Sequence, residues 1–446
     1  MKRRKTFLAV LIALFLLRPS PALGVEQPIP PALAAEAAVL IDAQTGQVLA
    51  EKNSRRQMQP ASLTKIMTCL LGMEARAPQA RVPVTAEALQ LMENASAIGL
   101  TEGESLTMAQ MLRAAMLPSA NEAAAAVGIY LAGSSEGFAE MMNRKAEELG
   151  LTGTHFVNAH GLPARDHYST AYDLAQIARA ALEYPEFIDY AGTRSTIIPA
   201  TQWNRRYSFS HLNRALLPDS NYYDPRAIAG KTGWTEAAGN CLMTVAQQDG
   251  VRLIAVVLKV DNSDGSIYQD TKALFDYGFS AYRREEFFLP SSQLTTVLAS
   301  GGGGREQAYV LAADSGPMEV LVPLNLKTDD LVLTLSGLEG DTATGGGFWG
   351  TLVLRDSRGE EVLEAGRVPL HGGTLAAEPL GPSPVVYLLK QETPPDWPLM
   401  AAVAAGCGAV FLIAKLAYLL YGRRSEAEEI DVSSMAESSG LYQPSE

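Results

Sequence analysis

The residues best suited to covalent chemistry are Ser62 and Lys65, three positions apart in a segment whose apolar pattern predicts a helix. That spacing places both side chains on one helical face. A serine hydroxyl needs a base to become nucleophilic, and a lysine can be that base only if burial or nearby positive charge lowers its pKa. Pro60 predicts that the helix begins here, with its positive end beside the pair. Alone, such a pair is usually a helix cap followed by a solvated charge.

A second pair of polar residues, Ser119 and Asn121, follows Pro118 between two segments of helical periodicity. In one interpretation Ser119 is only the N-cap of the next helix. In the other, its hydroxyl relays a proton to a leaving group and the Asn121 amide binds substrate backbone. The two roles are compatible, so both stay open at this point.

The third motif, Lys231-Thr232-Gly233, lies in a segment predicted to be a strand. Alternation directs Lys231 and Gly233 to one face and Thr232 to the other. Gly233 would let substrate backbone lie close to the strand, and Lys231 would offer positive charge to a substrate carboxylate. The plain alternative is an edge-strand lysine before a turn. Singly the motifs say little, but the ordered set of three resembles the signature of the serine acyl-transferases that bind penicillin, which would imply acyl transfer through Ser62.

A metal site is the weaker interpretation of the histidines in the middle of the chain. His155, His160 and His167 are close in sequence, with Asp166 and Asp173 nearby. They form no helical i, i+4 histidine pair and have no cysteine support. We therefore predict an ordered loop here, and no metal and no cofactor for the protein.

Three cysteines do not provide a disulfide framework. We predict that Cys69 and Cys241 are buried free thiols, although a bridge between them stays open in an oxidising compartment. Cys407 lies in an apolar run near the C-terminus.

The chain of 446 residues is long enough for two or three domains. Its net charge of -13 and the lack of a basic stripe argue against nucleic acid as a partner. A hairpin over Ala37–Ala50, helices between residues 61 and 182, and strands between residues 228 and 260 predict an α+β fold, an α/β sandwich. Short alternating runs with glycine-rich breaks then predict a small all-β domain over residues 288–391.

Both termini carry membrane signals. A positive Lys2–Lys5 run, an apolar stretch and the small residues around Ala22-Leu23-Gly24 predict a signal peptide over residues 1–24. Trp397–Tyr421 is almost entirely apolar and long enough to span a hydrocarbon core of about 30 Å as a helix. Arg423 and Arg424 follow it and place that end inside. Residues 425–446 form a predicted short cytoplasmic tail, so the catalytic domain is expected to lie outside the cell membrane.

The chain resembles the D-alanyl-D-alanine carboxypeptidases, the low-molecular-mass penicillin-binding proteins. Besides the three motifs, the segments that carry the resemblance are Ile41–Gly46, Pro60–Thr68, Leu149–Pro163, Thr170–Leu174 and Asp276–Phe279. The resemblance implies a β-lactamase/transpeptidase-like catalytic domain over residues 25–287, followed by a β-rich domain that holds it off the membrane.

The resemblance also implies roles for individual residues. Ser62 would be acylated by the penultimate D-alanine of a peptidoglycan stem peptide, with Lys65 as the base, and β-lactams would acylate the same serine. Backbone N–H groups of Ser62 and Trp234 would form the oxyanion hole. Ser119 would be catalytic, and Asn121, Lys231, Thr232, Gly233 and Trp234 would bind substrate.

Two departures from the family pattern bear on substrate binding. Some members carry histidine where this chain has Trp234, and many carry an arginine before the last catalytic-domain helix, where this chain reads Asp264-Gly265-Ser266-Ile267-Tyr268. Two alternatives to the carboxypeptidase remain: a serine β-lactamase, and a non-catalytic scaffold that binds the cell wall.

Overall fold

The structure is a computed structural model that describes residues 28–90, 95–261, 264–289, 294–301, 305–312, 316–339 and 348–374. The predicted signal peptide, transmembrane segment and tail lie outside these residues. Within the described part of the chain, no helix combines the length and the apolar character that a membrane span requires.

The regular elements follow the predicted order of hairpin, helices and returning strands. The strands are β1 (Ala37–Asp42), β2 (Val48–Lys52), β3 (Arg81–Pro83), β4 (Ser105–Thr107), β5 (Ser195–Ile198), β6 (Tyr207–Ser210), β7 (Ala227–Thr235), β8 (Gly239–Gln248), β9 (Val251–Val260), β10 (Tyr282–Leu289), β11 (Leu294–Gly301), β12 (Arg305–Ala312), β13 (Gly316–Pro323), β14 (Val332–Glu339), β15 (Phe348–Arg355) and β16 (Glu361–Thr374). The helices are α1 (Lys65–Glu74), α2 (Met108–Met116), α3 (Asn121–Ala132), α4 (Ser135–Glu148), α5 (Ala171–Leu182), α6 (Glu186–Gly192) and α7 (Ser266–Ala281).

An antiparallel sheet with the strand order β2-β1-β9-β8-β7 forms the middle layer of the catalytic part. Every residue of β1 is buried, because helices cover both faces of the sheet. Val39 and Ile41 enter the core on the α1 and α5 side, and Ala38 and Leu40 enter the core on the α7 side. This period-two alternation produces the predicted α/β sandwich. Because β7 is last in the strand order, one of its edges pairs with no strand among the described residues.

Helix α1 passes through the larger core, and its residues from Lys65 to Met73 are all buried. A helix that is buried on every side has no polar face to offer water. Lys65, the first residue of α1, is therefore an ionisable group removed from water.

The Ser62 helix begins after Pro60, as predicted, but its first turn is not an α-helix. Ser62 lies in a 3-10 helix over Ala61–Thr64, and the α-helix begins at Lys65. Of the two interpretations of Ser119, the N-cap does not hold, because Ala120 occupies that position and makes no side-chain capping bond.

The strands after α7 build two further sheets. β10 pairs with β13, and β11, β12, β16, β15 and β14 form a sheet in that order. Leu352 and Leu354 of β15 pack with Val320 and Val322 of β13 in a core of their own. Strand β16 contacts the turn after β1, where the Arg367 N–H donates to the Thr45 carbonyl at 2.8 Å.

Candidate active site

The backbone around Ser62 directs its side chain out of the core. Ala61, just before it, has a φ of +47°, which is unusual for a residue with a side chain. Leu63 and Thr64 are buried, whereas Ser62 is half-buried. A sharp turn held in an uncommon conformation thus leaves one hydroxyl accessible at the start of a buried helix.

Lys65 is fully buried and lies within hydrogen-bond distance of three oxygens. Its Nζ is 2.8 Å from Ser62 Oγ, 2.7 Å from Asn121 Oδ1 and 2.8 Å from the His160 carbonyl. Burial, together with the positive charge of Lys231, holds the pKa of Lys65 well below its usual value. Lys65 thus brings Ser62 and Asn121 into one cluster of contacts.

The three partners of Lys65 match a neutral amine. A carbonyl and an amide oxygen accept hydrogen bonds and cannot donate, so they take the two N–H groups of the neutral amine. The lone pair then remains for the Ser62 hydroxyl, which can donate. The arrangement can therefore remove the Ser62 proton without any rearrangement of Lys65.

Lys231 and Ser119 form the opposite side of the site. The Lys231 Nζ donates to Ser119 Oγ at 3.0 Å and to the Thr232 carbonyl at 2.6 Å. Lys231 is also fully buried, and desolvation lowers its pKa to about 7. Ser119 has a φ of +64°, so its side chain is directed by a strained turn, as the Ser62 side chain is.

Strand β7 lies directly against the Ser62 turn. A Cβ added at Gly233 would be 3.1 Å from the Ser62 backbone nitrogen and 3.2 Å from the Ala61 Cβ. The alternation is as predicted at Lys231 and Gly233, which both face the site. Thr232 is half-buried, and Trp234, which follows the motif, is 65% exposed.

The loop between α4 and α5 contacts Lys65 and the turn that carries Ser62. His160 provides its carbonyl to Lys65, and burial beside Lys65 lowers the pKa of its imidazole to about 3. His167 Nδ1 accepts from the Val157 N–H, which leaves Nε2 as the donor to Thr64 Oγ1 at 2.9 Å. The described residues contain no cluster of histidine, cysteine and carboxylate side chains suited to a metal ion.

Sequence reasoning missed two contributions to the site. The His160 carbonyl is a backbone group, so the residue type at that position does not predict its contact with Lys65. Glu122, beside Asn121, is 1% exposed, but acidic residues are common in the first turn of a helix, so its type and position do not predict a role in the site.

The two departures from the family pattern are visible in the structure. Asp264–Tyr268 carries no cation at the start of α7, and the Tyr268 ring stacks on Tyr222 with centroids 4.8 Å apart. The Arg214 guanidinium lies 4.6 Å from the Tyr222 ring centroid.

Cys69 and Cys241 are buried free thiols, as predicted, and burial raises the pKa of Cys241 to about 11.

Comparisons with known proteins agree with this geometry. Penicillin-binding protein 6B from Escherichia coli has a similar crystal structure, with a TM-score of 0.56 and 28% identity over 77% of this chain and 97% of that one. The fold is therefore the mixed α/β fold of the penicillin-binding proteins and transpeptidases.

Sequence relatives narrow this class. The D-alanyl-D-alanine carboxypeptidase family model matches residues 24–262. D-alanyl-D-alanine carboxypeptidase DacF of Bacillus subtilis (strain 168) is 32% identical over 338 residues, 74% of this chain and 84% of that protein. The DacD carboxypeptidase of Salmonella typhimurium is 36% identical over 288 residues, 61% of this chain and 70% of that protein. The chain belongs to the D-alanyl-D-alanine carboxypeptidase family, which confirms the resemblance and the serine-type carboxypeptidase activity that it implies.

Proposed function

We propose that Ser62 is the nucleophile and Lys65 the general base in the removal of the terminal D-alanine from peptidoglycan stem peptides. Lys65 takes the Ser62 proton as Oγ attacks the penultimate D-alanine carbonyl. The tetrahedral oxyanion is held by the backbone N–H groups of Ser62 and Trp234. Its collapse releases D-alanine and leaves an acyl-enzyme, which water then hydrolyses.

The observation that carries this proposal is the hydrogen bonding of Lys65. A fully buried lysine with a lowered pKa has two pure acceptors and one serine hydroxyl as its partners. A structural lysine of this kind would be expected to pair with a carboxylate instead. A neutral amine facing a hydroxyl is the arrangement that a general base requires.

The remaining residues would bind the substrate and direct its leaving group. The free edge of β7 can accept an extended peptide, with Gly233 allowing close approach and Thr232 at its side. Lys231 would attract the terminal carboxylate, and Ser119, which it contacts, would pass a proton to the departing amine. Asn121 would bind substrate backbone while its Oδ1 positions Lys65.

The site would act outside the cell membrane. We assign export to residues 1–24, an anchor to residues 397–421 and a spacer role to the β-rich part over residues 288–391. β-Lactams would act as inhibitors by acylating Ser62, because their strained amide presents a carbonyl and a carboxylate in the positions of the D-Ala-D-Ala terminus.

The test is intact-mass spectrometry of the purified full-length protein after penicillin G, together with an assay of D-alanine release. We expect the wild-type protein to gain the mass of one penicillin and to release D-alanine from a D-Ala-D-Ala peptide. Ser62→Ala should do neither while keeping its thermal melting temperature. Acylation that persists in Ser62→Ala would refute the assignment of the nucleophile.

The same experiment separates the two alternatives. Rapid turnover of penicillin without a stable adduct, and without D-alanine release, would indicate a β-lactamase. A folded wild-type protein that neither reacts with penicillin nor releases D-alanine would indicate a binding scaffold.

A further inference from the structure

Glu122 is a buried carboxylate one residue after Asn121, and its contacts are unusual. Its Oε1 accepts the backbone N–H groups of Ile98, Gly99 and Leu100 at 2.7, 3.0 and 3.4 Å. Three N–H donors that converge on one oxygen stabilise negative charge there. The side chain is only 1% exposed, so little of this stabilisation comes from bulk water.

The second oxygen of Glu122 has no such support. Oε2 is buried and has no hydrogen-bond partner among the described residues. A buried carboxylate with a free oxygen is costly unless positive charge lies close by. Lys65, on which the charge of Glu122 acts, is a cation of this kind when protonated and is 0% exposed.

The described groups that act electrostatically on Lys65 come from three elements. Lys231 on β7 is a cation, and its charge lowers the pKa of Lys65. His160, on the loop after α4, is neutral near pH 7 because burial beside Lys65 lowers its pKa to about 3. Glu122, on α3, is the anion of the set, and its charge raises the pKa of Lys65.

The same turn of α3 also fixes the backbone beside the site. The Asn121 N–H donates to the Ser96 carbonyl at 2.9 Å, next to the stretch that Glu122 holds. The Asn121 Oδ1 accepts a hydrogen bond from the Lys65 Nζ at 2.7 Å. Residues 96–100 are thus attached, through two consecutive residues of α3, to the group that contacts the base.

We propose that Glu122 is a positioning residue of the acylation site: it is the buried counter-charge for Lys65 and the anchor of residues 98–100 beside Asn121. The inference rests on the proposed roles of Ser62 and Lys65. Burial and the charge of Lys231 lower the pKa of Lys65, and the charge of Glu122 opposes them. Glu122 thereby limits how far the pKa of the base falls.

Two variants separate the effect of the Glu122 charge from the effect of its side-chain length. Glu122→Gln keeps the length and an oxygen for the N–H groups but removes the charge. Because the anion favours the protonated form of Lys65, its loss should shift the acidic limb of the acylation rate towards lower pH. Glu122→Asp keeps the charge but not the reach, so it should keep the wild-type limb and acylate several-fold more slowly.

Glu104→Gln is the matched control. Glu104 is a half-buried carboxylate that accepts N–H bonds from Thr101 and Arg205, in the same part of the chain, without acting on Lys65. Its amide variant should keep the wild-type acidic limb. The readout is the second-order rate of acylation by a fluorescent penicillin between pH 4 and pH 9 in the full-length protein, with a thermal melt of each variant.

The outcomes are distinct. If folded Glu122→Gln keeps the acidic limb of the wild-type acylation rate, Glu122 is not a counter-charge. If Glu122→Asp is acylated at the wild-type rate, Glu122 is not an anchor for residues 98–100. If Glu122→Gln does not fold, the rate and limb of Glu122→Asp still decide the anchor, and an altered limb there contradicts the role of the charge. Failure of the wild-type protein to be acylated would instead refute the proposed function itself.

Discussion

At the scale of single residues, the site depends on two lysines that the fold removes from water. Both lysines are fully buried, and burial lowers the pKa of each; at Lys65 the positive charge of Lys231 acts in the same direction as burial. The proposed mechanism needs opposite states of the two: Lys65 neutral to accept a proton, and Lys231 charged to attract a carboxylate. The difference in their surroundings supplies that separation.

The pH dependence of the reaction follows from this separation. Protonation of Lys65 at low pH removes the base, so kcat/KM should rise with pH at first. Because the pKa of Lys231 is lowered to about 7, a further rise in pH through this region removes its charge, and kcat/KM for a D-Ala-D-Ala peptide should fall again. The expected plot of kcat/KM against pH is bell-shaped, and its alkaline limb reflects the deprotonation of Lys231.

A peptide that ends in an amide provides the check in the wild-type protein. Without a terminal carboxylate, the substrate gains nothing from the Lys231 charge, so the alkaline limb should disappear from its profile. Lys231→Arg, which stays protonated, should move the limb of the carboxylate substrate to higher pH. Equal alkaline limbs for both peptides would contradict the role assigned to Lys231.

At the scale of elements, the site is assembled from a 3-10 turn, a helix start, a loop and an edge strand that meet at very short range. Gly161 shows how closely the loop after α4 approaches the Ser62 turn. Its φ is +87°, and a Cβ added there would be 1.8 Å from the Ala61 carbonyl oxygen. The loop therefore needs glycine both for its backbone conformation and for its contact with the nucleophile turn.

Gly161→Ala should be strongly destabilising. We expect a loss of more than about 2 kcal/mol in the free energy of unfolding, since the added methyl group meets backbone that cannot move away cheaply. Acylation should slow as well, because the neighbouring His160 carbonyl contacts Lys65. Urea denaturation and penicillin labelling measure the two effects.

Gly133→Ala serves as the matched control. Gly133 has a φ of +83° at the C-terminal end of α3, and an added Cβ there meets nothing within 4 Å. Only the conformational cost of about 1 kcal/mol should remain, with acylation unchanged. If Gly161→Ala and Gly133→Ala lose the same free energy of unfolding, the close approach of Gly161 to Ala61 does not contribute to stability.

At the scale of the molecule, strand β16 and the catalytic sheet are joined by specific contacts. Arg179 on α5 donates to the carbonyls of Gln44 and Arg367, and the Arg367 N–H donates to Thr45. Gly366 allows this approach, because a Cβ on it would be 2.4 Å from the Thr45 carbonyl oxygen. A spacer must be attached to the part that it holds off the membrane, and these contacts are compatible with the spacer role proposed for the β-rich part.

The proposed anchor gives a prediction at the same scale. A chain that ends after Gln391 lacks the apolar run and should be recovered in the soluble fraction outside the cytoplasmic membrane, whereas the full chain should sediment with membranes. Penicillin labelling of the two forms should be equal, because Ser62 and its partners lie in the retained part. Membrane association of the shortened chain, resistant to salt and carbonate, would contradict the anchor.

The sequence determined the chemistry of this protein because types and spacing of a few residues suffice for it. Ser62 with Lys65, Ser119 with Asn121, and the Lys231–Gly233 strand were predicted as one acyl-transfer site, and the structure brings them together. The sandwich was predictable as well, because the short apolar runs of β1 and β9 and the helical periodicity of α1 are local patterns.

The tertiary structure decided what depends on neighbours distant in sequence. The strained turns at Ala61 and Ser119, the His160 carbonyl on Lys65 and the burial of Glu122 arise from packing, which no local pattern encodes. The pKa of a lysine is likewise a property of its surroundings, since desolvation and the nearby charges of Lys231 and Glu122 exist only in the folded chain.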